Sequence, residues 1–131
     1  MKIAISSTGK SLESEVDPRF GRCGTFLIFD TETQGSEFVV NNSVSSAHGA
    51  GIGAAQKIVS LGVGAVITGH VGPNAHMALS SAGLDIYTVN QGTVKEAIES
   101  FKEGKLVKVN RPTVGGHFGQ GRGGRGNRPR V

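Results

Sequence analysis

The stretch "DPRFGRCGTF", residues 17–26, contains the only cysteine of the 131-residue chain, Cys23, which follows Arg22 directly and Arg19 by four positions. The thiolate is the form of cysteine that attacks electrophiles and binds metals, and nearby guanidinium groups lower a thiol's pKa. This spacing predicts a basic loop in which Arg19 and Arg22 favour thiolate at Cys23 or draw an anionic ligand towards it. Three histidines, His48, His70 and His76, stand in or beside the glycine-containing runs "HGAGIGAA" and "TGHVGPNA". Thiolate and imidazole together form a soft ligand set. No CxxC, no HExxH and no four-ligand spacing is present, so a closed structural zinc site is not expected. One Cys with one or two His cannot enclose a metal cluster, but it can hold a preassembled one at an open position. That suits a carrier better than a permanent owner.

Taken singly, each of these residues has a plainer reading. Cys23 reads equally as an unremarkable surface thiol, His48 as a helix cap, His70 as a loop residue beside a glycine, and His76 as a side chain on the solvent face of a helix. Only the elements that position them can bring them together. "KIAIS" predicts a first strand over residues 2–7, "TFLIFD" a buried second strand, and "SEFVVNN" its hairpin partner across the turn "TETQG". "GAGIGAAQKIVSLG" has apolar residues near helical spacing with Gly62 as its stop, and "GAVITG" follows as an apolar strand. "PNAHMALSSAG" predicts a helix with Pro73 at its first position and Gly83 as terminator; "LDIYTV" is the next strand. "TVKEAIESFKEG" opens with a Thr93…Glu96 capping box and closes at Gly104, and "KLVKV" forms a short last strand or runs along the surface.

The order β-β-β-α-β-α-β-α predicts an α/β fold: an antiparallel meander, then right-handed crossovers, making a mixed five-stranded sheet flanked by helices. In that arrangement Cys23, His48, His70 and His76 converge on the edge where the parallel strands end, together with Ser6, Ser7 and Thr8. Three helices aim their amino ends at the same rim with unpaired N–H groups, and open α/β sheets bind ligands there. The ligand predicted is anionic. "HGAGIGAA" lacks the preceding strand and following acid of a dinucleotide site, and "TGHVGPNA" lacks a P-loop lysine. Both read as tight turns, with Gly69, Gly72 and Asn74 letting backbone N–H groups approach a ligand or another backbone closely.

Length predicts one domain, residues 1–110, followed by a tail, 111–131. The net charge of +4 belongs to that tail: it holds Arg111, Arg122, Arg125, Arg128 and Arg130 and no acid, leaving residues 1–110 at a net −1. Its Gly/Arg-rich composition predicts disorder and either a solubilising role or a weak contact with RNA or an acidic partner. No apolar run reaches 18 residues, the start is too weak for a secretory signal, and a lone cysteine fits a reducing compartment. A cytoplasmic protein without membrane contact is expected.

"FGRC" before a strand, "HGAGIGAA", "VITGHVGPNA" running into "ALSSAGLDIY", and "GTVKEAIESFKEGKL" together resemble the dinitrogenase iron-molybdenum cofactor biosynthesis family over residues 1–107. The resemblance implies a ribonuclease H-like fold and a non-enzymatic carrier that binds iron-molybdenum cofactor or an iron–sulfur precursor and passes it from donor to acceptor proteins. The family's Cys and His positions map to Cys23 and His48; extending a ligand role to His70 rests on the predicted geometry alone. Such a carrier is expected as a monomer or weak homodimer, the latter supplying a second Cys23. Two other functions compete. A nuclease needs several carboxylates around its central strands, and the first strand offers Ser6 where an acid is wanted, with Asp30 at the opposite edge. A nucleic-acid-binding protein would act through the tail, with affinity that falls steeply with salt.

Overall fold

The computed structural model describes residues 1–42 and 50–109. His48 and the Gly/Arg-rich tail lie outside the described residues, as does the boundary expected at residue 110. The elements, in chain order, are β1 (Lys2–Ser7), β2 (Thr25–Asp30), β3 (Ser36–Val40), α1 (Ala50–Ser60), β4 (Ala65–Thr68), α2 (Pro73–Ser81), β5 (Asp85–Thr88), α3 (Val94–Lys102) and β6 (Val107–Lys108). The sheet has six strands in the order β3-β2-β1-β4-β5-β6. β4 and β5 run parallel to β1, and the other pairs are antiparallel.

The expectation of five strands is therefore corrected to six. β6 is only two residues long, too short to show a period of two, and both residues are exposed. Long-range contacts hold it: Val109 N–H donates to the Ile86 carbonyl at 2.8 Å, and Lys108 Nζ meets Asp85 Oδ1 at 2.9 Å.

Alternation along the strands sorts side chains onto two faces. Ile3, Ile5, Leu27, Phe29, Ala65 and Ile67 pack under Val94, Ala97 and Ile98 of α3. Ala4, Phe26, Ile28, Val66 and Ile86 pack under Ala54, Ala55 and Ile58 of α1 and Ala75 and Leu79 of α2. With helices on both faces, β1 is buried from Ile3 to Ser7, which is why it reads as an almost unbroken apolar run. α1 and α2 stop where Gly62 and Gly83 adopt φ of +76° and +84°, a region costly for residues with a Cβ. No helix among the described residues is long and apolar enough to cross a membrane.

α3 is short and amphipathic, so its cap carries weight. Thr93 Oγ1 accepts from Glu96 N–H at 3.1 Å while Glu96 Oε1 accepts from Thr93 N–H at 2.9 Å. Thr93→Ala is expected to cost about 1 kcal/mol, read as a shift in the denaturant midpoint at unchanged slope.

Candidate functional site

β1, β4 and β5 share a carboxyl-end rim at Ser7, Thr68 and Thr88; β2 starts at this edge and β3 ends there. The long polar connection from β1 to β2 lies across this rim as an ordered strap. Asp17 N–H donates to the Ser6 carbonyl at 2.9 Å, His70 N–H to the Pro18 carbonyl at 2.7 Å, and Phe20 N–H to the His70 carbonyl at 3.4 Å. Ser6 Oγ donates to the Asp17 carbonyl at 2.7 Å and lies 2.8 Å from Thr68 Oγ1. The rim crevice between β1 and β4, where the strand order reverses, is thus filled by the chain itself.

Gly69 makes that seating possible. A Cβ on it would stand 2.6 Å from Pro18 Cα and 2.9 Å from the Pro18 carbonyl oxygen. Of the two approaches open to this turn, Gly69 receives another backbone.

Cys23 is 0% exposed, within the core cluster that includes Phe20, Phe26 and Val71. Its Sγ donates to the Phe20 carbonyl at 3.4 Å and lies 3.9 Å from Asn41 Nδ2. Burial, and then the nearby Asp17 carboxylate, push its pKa from 9.0 up to about 12; hydrogen bonds from the Ser7 and Thr25 backbone and the Asn41 amide act the other way but are outweighed. The expectation of a thiolate favoured by Arg19 and Arg22 is corrected. Sequence proximity put those arginines beside Cys23, but both are exposed while the thiol turns inward. In this conformation Cys23 is a protonated thiol.

The helix amino ends are corrected as well. α3 has no spare donors in its first turn: Val94 N–H donates to the Ser14 carbonyl, Lys95 N–H to Leu12, Glu96 N–H to Thr93 Oγ1 and Ala97 N–H to the Thr93 carbonyl. The cleft beside it, about 270 Å3 and flanked by Glu15 and Asn90, is therefore poorly suited to an anion. α1 begins at Ala50, and the residues leading into it are not described. α2 is different. Its N-cap is Gly72, no side chain caps it, and Pro73 stands in its first turn. An open helix amino end favours negative charge.

Beside that end lie exposed His70, Gly72 and Asn74. Arg19 forms a parallel bridge with His70, and its side chain, 67% exposed, has Nε 3.4 Å from Asp17 Oδ1. Arg22 is exposed on the same strap. His76 is half-buried further along α2; its Nδ1 is 3.5 Å from Ser80 Oγ, and its buried Nε2 has no hydrogen-bond partner. Among the described residues, no group of three or more His, Cys, Asp or Glu could hold a metal ion.

Two residues at the site escape a reading of the sequence alone. Asp17, 4% exposed, accepts from Arg19 N–H at 2.9 Å and shapes the start of the strap. Asn41, 1% exposed, donates from Nδ2 to the Cys23 carbonyl at 2.8 Å and the Gly21 carbonyl at 3.2 Å. The Asp-Pro pair at residues 17–18 is a turn signal that could have marked the first. Nothing local marks the second, because its partners lie about 20 residues away.

A family model described as dinitrogenase iron-molybdenum cofactor matches residues 1–104, which takes in the strap, the rim and the helices α1, α2 and α3. The chain belongs to this dinitrogenase iron-molybdenum cofactor family. The apo form of the orange protein from Desulfovibrio gigas superposes with a TM-score of 0.83 at 38% identity, covering 86% of this chain and 96% of that one. A putative NifB protein from Thermotoga gives a TM-score of 0.78 at 43% identity, over 88% of this chain and 98% of that one. An uncharacterised protein of Methanocaldococcus jannaschii is 35% identical over 111 residues, 82% of this chain and 91% of that protein. The iron-molybdenum cofactor domain thus spans nearly all of the described fold, and its relatives are close to it in length.

Proposed function

We propose that the chain is a non-enzymatic carrier that binds an anionic metal–sulfur cluster, iron-molybdenum cofactor or an iron–sulfur precursor, at the carboxyl-end rim and passes it from a donor to an acceptor protein. The observation that carries the reading is the uncapped amino end of α2 beside Arg19 and His70, in a chain matched by the cofactor family over residues 1–104. Arg19 and Arg22 supply charge, Gly69 shapes the turn, and Gly72 and Asn74 border the anion's seat. Cys23, His48 and His70 are the candidate metal ligands. Because Cys23 is buried and protonated here, its sulfur can ligate only after the strap moves. A ribonuclease H-like architecture is part of this proposal, supported by a three-stranded antiparallel meander joined to parallel strands.

The test is anaerobic titration of the full chain with iron and sulfide, then with a preformed iron-molybdenum–sulfur cluster, following charge-transfer absorbance and retained metal. Stoichiometric uptake is expected. Arg19→Gln should weaken it about tenfold or more, the weight of one charge-assisted hydrogen bond. Altered absorbance in Cys23→Ser, or lost metal in His48→Ala or His70→Ala, would assign the ligands. If wild type retains no cluster, the carrier reading fails. The basic tail then becomes the better lead, tested by RNA binding that weakens with salt and vanishes on deletion of residues 115–131.

A further inference from the structure

The rim's donors converge on the strap's carbonyl oxygens. Ser6 Oγ donates to Asp17 O at 2.7 Å, with Thr68 Oγ1 3.5 Å from the same oxygen. His70 N–H donates to Pro18 O, and Asn41 Nδ2 donates to both Gly21 O and Cys23 O. Four strap carbonyls therefore occupy donors set on the carboxyl ends of β1 and β4 and just beyond β3. Ser6, Thr68 and Asn41 are at most 1% exposed, so these are buried polar groups that must be satisfied by some acceptor. In the other direction, the strap N–H groups of Asp17 and Phe20 donate to the rim carbonyls of Ser6 and His70. The segment's apolar hold is also narrow: only Phe20 and Cys23 are buried hydrophobics, with the Phe20 ring 5.3 Å from that of Phe26.

We propose that residues 17–23 are an internal stand-in for the cargo: their carbonyls fill the rim's donors in this conformation, and an acceptor-rich anionic cluster displaces the strap when it binds. The inference rests on the carrier reading above. Displacement would exchange four carbonyl acceptors for the sulfide or oxygen acceptors of the cluster, keeping Ser6, Asn41 and the His70 N–H satisfied. It would also bring Cys23 out of the core with Arg19 and Arg22 on the same segment. The strap thus hides the thiol and covers the donor floor with one set of contacts.

Three readouts on the full chain test the proposal. In the first, Cys23 is labelled with a thiol reagent across low guanidinium concentrations, without cluster. Local opening predicts labelling at least about tenfold faster than global unfolding allows, and nearly independent of denaturant. Labelling that follows global unfolding in rate and slope would overturn the strap. In the second, Asn41→Ala should label about tenfold faster again; a folded variant that labels no faster overturns Asn41 as the catch, and if it does not fold the wild-type result decides. In the third, hydrogen exchange of the peptide spanning residues 17–23 is followed with a preformed iron-molybdenum–sulfur cluster. Faster exchange at saturation is expected, whereas unchanged or slower exchange with the cluster retained overturns displacement. A chain that opens locally yet retains no cluster sinks the carrier reading and, with it, the cargo half of this inference, while the strap's opening stands.

Discussion

Raising the pH from 9 to 11 is expected to lower the stability of the domain by about 2 kcal/mol through a single thiol. Burial and Asp17 hold the Cys23 pKa at about 12 in the folded chain, against 9.0 for a solvated cysteine thiol. The folded state therefore keeps its proton where the unfolded chain has lost it. This contribution is fully present below pH 9 and is lost progressively as the pH rises towards 12. Over the whole window it amounts to about 4 kcal/mol, a large part of the 5–15 kcal/mol typical of a domain. The quantity to measure is the difference between wild type and Cys23→Ala in denaturant midpoints at pH 8, 9, 10 and 11, which isolates the thiol from every other group. The curves should diverge only above pH 9, with wild type falling faster. Parallel curves would mean that the thiol reaches solvent in the folded state.

Gly69→Ala is expected to destabilise the domain by about 1–3 kcal/mol, a drop of several degrees in Tm. The added Cβ would stand 2.6 Å from Pro18 Cα and 2.9 Å from Pro18 Cβ and O, and backbone atoms cannot rotate aside as a flexible side chain can. Either β4 or the strap has to shift. The strap is the weaker partner, since the β4 strand is paired on both sides while the strap is held largely by the contacts described above. Gly24→Ala is the matched control: nothing lies within 4 Å of its Cβ position, so a change within about 0.5 kcal/mol is expected. Thermal melts of the two variants check the pair. If Gly69→Ala melts with wild type, the close approach of Pro18 is not a constraint on the fold.

Both predictions concern the contact between strap and rim, which is also where the proposed cargo would sit. A carrier has to release what it binds. Polar contacts that exchange readily with water or ligand suit that task better than a closed ligand cage, because each contributes only about 0.5–1.5 kcal/mol net. Placing the anion's seat beside α2 rather than α3 follows from the same accounting, since α3's first-turn donors are already committed to Thr93 and the strap carbonyls at Leu12 and Ser14.

The elements were legible in the sequence because their causes are local. β1 and β2 have the apolar runs of strands covered on both faces, Thr93 and Glu96 stand at capping-box spacing, and Gly62 and Gly83 end their helices by backbone conformation. The rim could be anticipated too, since connection order and handedness alone place the ends of β1, β4 and β5 together. Tertiary structure decided the chemistry there. Whether Cys23 is thiolate or thiol depends on which groups surround Sγ in space, and a loop's sequence spacing does not set that; folding inward brought Asp17 and the core to the sulfur and left Arg19 and Arg22 in solvent. The same holds for α3's amino end, satisfied by carbonyls about 80 residues earlier, and for Gly69, whose neighbour Pro18 lies about 50 residues away. Local sequence sets backbone conformation, but burial and electrostatics are sums over neighbours that only the folded chain assembles.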